Sequence, residues 1–137
     1  MNGAIIKNIH FYFGITVIVI FTLTGQYMHH FYDHLKNMEP APRMIFRAGH
    51  IYILFSGLIN VTLGGYFTLN EKKGNQILQL IGSVLIIVAP MLFIGSFFIE
   101  LPTDQLERLM ARFGIYFIAA GTVIHGLTRL MFASHKK

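Results

Sequence analysis

Seven histidines and six carboxylates carry most of the chemistry that this chain of 137 residues can offer, because it has no cysteine. Disulfides, thiolate metal sites and a cysteine nucleophile are thereby excluded. Four of the histidines, His29, His30, His34 and His50, fall within residues 25–50, together with the turn Pro40-Ala41-Pro42 and the arginines Arg43 and Arg47. His30, Asp33 and His34 are spaced by three and four residues. On a helix that spacing gathers them on one face, as nitrogen and oxygen ligands for a divalent transition metal such as zinc, copper or iron. Glu39, Glu100 or water would supply a fourth ligand. The same residues also read as a solvated polar face.

The elements that position these groups follow from composition. The chain is 54% hydrophobic and only 12% charged, where a soluble domain carries about 25% charged residues. A membrane-spanning helix needs about 20 apolar residues, and the gaps between charge clusters are that long. We therefore expect an all-α membrane protein: one domain, residues 1–137, with spans at about 4–35, 43–69, 75–99 and 104–134. In water, the Ile-, Val- and Phe-rich core of span 1 would suggest a strand. In lipid an isolated segment must satisfy its own backbone, which selects helix. That stretch is too long for the apolar part of a signal peptide, and no small-x-small site follows Thr24, so it reads as a retained first span. The prolines at 40 and 42 separate spans 1 and 2, Asn70–Gly74 separates spans 2 and 3, and Glu100–Thr103 separates spans 3 and 4. Thr103 or Asp104 is expected to cap span 4. Connections this short predict an up-down-up-down four-helix bundle.

Depth and helical phase then pair the histidines. His10 and His125 lie two to three turns inside spans 1 and 4, at one end of the bundle. His29 and His50 lie near the other end, on spans 1 and 2. At about 100° per residue, His10 and His29 point about 100° apart, toward different neighbouring helices. Gly14 and Gly25 fall between those directions, each one turn deeper than its histidine, and Gly121 stands in the same relation to His125. Lys7, Arg47 and Arg129 lie about one turn outward of His10, His50 and His125.

This pattern resembles the architecture of small b-type membrane cytochromes, whose four-helix bundles hold haem between paired histidines. The resemblance implies haem b between His10 and His125 and between His29 and His50. The glycines would make room for the macrocycles and the cations would pair with the propionates. Histidines 10 and 29 are about 28 Å apart along a helix at 1.5 Å per residue, which frames transmembrane electron transfer as the function. Whether the chain is an enzyme stays open. A structural or accessory membrane subunit is the principal alternative, in which glycines are packing notches and histidines decorate the interfaces.

Arg43-Met-Ile-Phe-Arg47-Ala, opening span 2, resembles the membrane-associated eicosanoid and glutathione metabolism family. That resemblance implies a four-helix membrane protein that binds glutathione. Read from the residues alone, Arg43 and Arg47 snorkel to headgroups or pair with Asp33, Glu39, Asp104 or Glu107.

The formal charge of +5 reflects topology and anionic lipid. The expected partners are the bilayer and either further copies of the chain or a larger membrane complex, with no nucleic acid. Lys7, Lys72, Lys73, Arg129, Lys136 and Lys137 would lie on one face, and Lys36, Arg43, Arg47, Arg108 and Arg112 on the other. That count of six against five favours both termini on the cytoplasmic side, in a bacterial inner membrane.

Overall fold

The computed structural model describes residues 2–100 and 107–133. Four α-helices follow one another: α1 (Gly3–Tyr32), α2 (Pro40–Tyr66), α3 (Lys73–Ile99) and α4 (Leu109–Ala133). Among the described residues there is no strand, and all four helices are long and apolar enough to cross a membrane. The expected cap at Thr103 or Asp104 and the tail beyond Ala133 lie outside the described residues.

The helix ends differ from expectation for local reasons. Asn2 starts α1, its side chain accepting from the Ala4 amide at 3.1 Å. The helix stops at Tyr32 rather than Leu35, because Asp33, His34 and Leu35 all adopt positive φ, at 42°, 55° and 62°. This left-handed stretch turns Leu35 into the core, where it is 3% exposed. Pro40 and Pro42 lie within the first turn of α2 rather than before it. Proline is suited to that position, since the first amides of a helix have no intrahelical acceptor. At the far end α2 stops at Tyr66, and Phe67 is extended. The Gln79 amide group holds the connection that follows, accepting from the Asn70 amide at 2.9 Å and donating to the Thr68 carbonyl at 3.0 Å.

The helices pack as two close pairs, α1 with α2 and α3 with α4, joined mainly through α2 and α3. Glycine sets both close pairs. A Cβ on Gly64 would stand 2.5 Å from the Phe11 amide nitrogen, and one on Gly14 would stand 2.6 Å from that of Val61. Across the other pair, a Cβ on Gly121 would lie 2.7 Å from the Gly82 carbonyl oxygen. Backbone meets backbone at these points, the arrangement by which helices associate where lipid is as apolar as they are. Val17, Ile53, Ile86, Phe93 and Phe97 fill the space between the pairs and are essentially inaccessible. Large apolar side chains also cover the outside, including Tyr12, Phe31, Met44 and Leu130, each more than two-thirds exposed.

Candidate functional site

The most buried titratable group is His10, on α1, with no accessible surface. Its Nδ1 lies 2.8 Å from Asn60 Oδ1 on α2. The Asn60 amide has one chemically consistent orientation. Its Nδ2 faces two carbonyl oxygens, those of Ser56 at 2.9 Å and Ile86 at 3.1 Å, and carbonyls only accept. Oδ1 is therefore the atom turned to His10, and His10 Nδ1 is the donor. In a neutral imidazole the lone pair then resides on Nε2. That atom is buried and has no hydrogen-bond partner.

The position of Asn60 has a cause on the neighbouring helix α3. Pro90, inside α3, has no amide hydrogen, so the Ile86 carbonyl one turn earlier loses its helical donor. Asn60 supplies the replacement. A side chain from a neighbouring helix often takes up a backbone group freed by proline in an apolar setting.

His125, on α4, faces His10 with ring centres 6.4 Å apart and planes at 90°. Its Nε2 lies 3.2 Å from Ser83 Oγ on α3. Phe67, where the chain leaves α2, packs against both rings at 6.5 and 5.8 Å. Four helices thus contribute to one small polar centre: His10, Asn60, Ser83 and His125. Beside it a cleft of about 530 Å³ opens between α2 and α4, with His125, Asn70, Gln79 and Arg129 among its lining residues. Arg129 donates to the Tyr66 carbonyl at 3.4 Å, at the end of α2. Lys7 is exposed.

The glycines near these histidines have protein neighbours. Gly14 packs on the α2 backbone and Gly121 on that of α3, whereas Gly25 lies against His50: a Cβ there would be 3.3 Å from His50 Cε1. His50 is stacked on Phe21 with ring centres 4.0 Å apart, and its Nδ1 lies 2.9 Å from Thr24 Oγ1. Thr24 gives its hydroxyl hydrogen to the Phe21 carbonyl at 2.8 Å, so it accepts from His50. His50 therefore shares the Nδ1–H form of His10.

His29 is exposed and clusters with His34 and His30, ring centres 4.0 and 4.9 Å away. His30, Asp33 and His34 do not share one helical face, because the α-helix ends at Tyr32 and the left-handed residues re-aim the last two. Asp33 pairs instead with Lys36 at 3.6 Å, at the surface. Among the described residues no group of three or more histidine and carboxylate side chains is placed to hold a metal ion.

The arginines at this end brace the connections. Arg43 donates to the carbonyls of Met38 at 2.6 Å and Lys36 at 3.2 Å, and Arg47 is exposed. Arg108, just before α4, donates to Ser96 Oγ at 3.0 Å and to the Ile45 carbonyl at 3.5 Å. Burial draws its guanidinium below the ordinary arginine range, and the Glu100 carboxylate opposes that shift. Glu100 itself accepts from the amides of Met110 and Ala111, closing the start of α4.

The histidine pattern in the sequence does not by itself select Asn60, Ser83, Thr24 or Phe67. One signal was available: a mid-span asparagine is costly unless paired, and Pro90 announces a carbonyl in need of a donor. No family model, curated protein or solved structure matches the chain.

Proposed function

We propose that this chain is an integral membrane protein that holds one b-type haem between His10 and His125 and passes electrons through it. The observation that carries this reading is the buried, unpartnered Nε2 of His10, set opposite a second imidazole. An unsatisfied buried acceptor costs about 1–3 kcal/mol, and a metal ion would remove that cost. The hydrogen bond from His10 Nδ1 to Asn60 is the kind of outer contact that fixes a ligating histidine in its tautomer. The spacing also suits an ion. An imidazole nitrogen binds a transition metal at about 2.0–2.1 Å, which places the centres of two rings on one ion about 5–6.5 Å apart.

Two protein ligands favour haem over a bare ion. A closed tetrahedral site needs four donors, and only two imidazoles meet here. A haem would need only two donors from the protein, which His10 and His125 would supply, and it would bring one-electron chemistry. His10 and His125 sit on different helix pairs, so each pair would hold the group through one histidine. Phe67 covers both rings, and burial of this kind is one of the levers that set a haem potential. His29 is exposed beside His34 and His50 is stacked on Phe21, so the reading uses one centre.

We further infer an up-down-up-down bundle inserted in a bacterial inner membrane with both termini in the cytoplasm. The apolar outer surface and the short connections support it. Tags at the two termini should map to the same side.

The haem reading is tested on protein purified from haem-replete cells. A Soret band that sharpens and shifts on dithionite reduction is expected at one haem per chain. His10→Ala and His125→Ala should each lose it, and His50→Ala should keep it. Colourless wild-type protein, or full haem content in both His10→Ala and His125→Ala, would rule the reading out. A non-enzymatic accessory subunit would then be the standing alternative.

A further inference from the structure

We propose that the cleft between α2 and α4 is a binding site for a bilayer-soluble quinone or quinol. The inference deepens the haem reading by naming a redox partner and rests on it for that role, while binding itself stands on the cleft alone.

The first observation is access. The cleft lies against the last two turns of α2 and residues 122–129 of α4, inside segments long and apolar enough to cross a membrane. Thr62, Tyr66, Thr122 and Gly126 line it and are exposed. Its mouth is therefore on the surface that lipid would cover, and a ligand would enter sideways from the bilayer. At about 530 Å³ the cleft falls within the range of about 300–1,000 Å³ usual for small-molecule sites. That volume suits one ring with part of a tail and is too small for a two-chain phospholipid.

The second observation is the distribution of polar groups. Ile59, Leu63 and Ile86 make an apolar wall, while Arg129 supplies hydrogen-bond donors on α4. Among the described residues no carboxylate lines the cleft, so none of them selects a cation. The two threonine hydroxyls on α4 are already committed as donors, Thr122 to the Ile118 carbonyl at 2.7 Å and Thr128 to the His125 carbonyl at 3.0 Å. Their oxygens are left to accept. Of the five N–H donors of Arg129, one is directed to the Tyr66 carbonyl, leaving others for a ligand. A neutral ring bearing carbonyl oxygens can accept from Arg129, and its reduced form can donate to threonine oxygens. One site thus serves both redox forms. His125 also belongs to the His10 centre, so a ring in the cleft would sit one side chain away from it.

Gly126 provides a clean test, because a Cβ added there would find open space within 4 Å. Gly126→Phe should fill the cleft and leave the fold intact. Gly65→Phe is the control: it is also free of neighbours and is not part of the lining. The experiment is isothermal titration of a decyl-substituted benzoquinone into the detergent-purified full chain, with haem content read from the visible spectrum. We expect saturable binding by wild type and by Gly65→Phe, at least tenfold weaker binding by Gly126→Phe, and weaker binding by Arg129→Gln. Equal binding by wild type and Gly126→Phe, or none by wild type, overturns the proposal. So does displacement of the quinone by an equimolar single-chain phosphatidylglycerol, which would assign the cleft to a lipid headgroup. A colourless wild type whose quinone binding is lost in Gly126→Phe sinks the haem reading and leaves the cleft site standing.

Discussion

Asn60 takes up the carbonyl that Pro90 leaves without a helical donor. The proline lies on α3, the asparagine reaches it from α2 at the Ile86 oxygen, 3.1 Å away, and the other end of the same amide holds His10 on α1. A backbone defect in one helix thereby decides which nitrogen of a histidine two helices away carries the proton. The linkage runs through fixed donors and acceptors, so each step has its own measurable consequence.

The first is energetic coupling. Asn60→Leu should destabilise the folded protein by about 1–3 kcal/mol, the usual cost of leaving a buried partner unpaired. Pro90→Ala restores an amide hydrogen to α3 and lets the Ile86 carbonyl bond within its own helix. In that background Asn60→Leu should cost less. A double-mutant cycle, read by unfolding in mixed micelles, should give a coupling of about 0.5–3 kcal/mol. Strict additivity would mean that the shared carbonyl is energetically idle.

Tautomers give a second readout. Nitrogen-15 spectra of histidine-labelled, haem-free protein should show His10 and His50 in the Nδ1–H form. Asn60→Leu should release His10 alone, and Thr24→Val should release His50 alone. Finding His10 with its proton on Nε2 in the unsubstituted protein would falsify the orientation assigned to Asn60.

Glycine packing predicts a contrast between neighbours. Gly64→Ala forces a methyl against the Phe11 backbone and should cost about 1–3 kcal/mol through overpacking. Gly65→Ala points into open space and should be neutral, or slightly stabilising through helix propensity. Thermal unfolding of the two variants side by side checks this, and similar midpoints would count against close α1–α2 contact.

At the other end, Glu100→Ala removes the acceptor for the first free amides of α4. Loss of such a cap costs about 0.5–2 kcal/mol, and here a charge near the positive helix end is lost as well. Hydrogen exchange should speed up at Met110 and Ala111 ahead of the rest of α4. Unchanged protection at those two amides would contradict the capping role.

The sequence by itself determined four helices and their apolar character, because charge spacing and the need to satisfy backbone in lipid are properties of a segment alone. It also singled out His10 and His125 by depth and phase, since a helix carries side chains at a fixed pitch. The first span reaches Leu35, but its α-helix ends at Tyr32, and nothing in the composition of Asp33-His34-Leu35 announces three left-handed residues.

Only the tertiary structure decided what each polar group faces. Phase alone sent His29 toward His50; in the fold His50 stacks on Phe21 and His29 lies against His34. Gly14 and Gly121 lie in the phase expected to make room for a macrocycle, but both serve close backbone approach to a neighbouring helix, so a haem at His10 and His125 would be held without them. Asn60 could have bonded anywhere within its reach. Its partners were fixed by a carbonyl on another helix, and that carbonyl was free only because a proline followed it by four residues. Periodicity reports which side of a helix a residue is on, but the pairing of buried donors and acceptors is settled by which helices meet and at what depth.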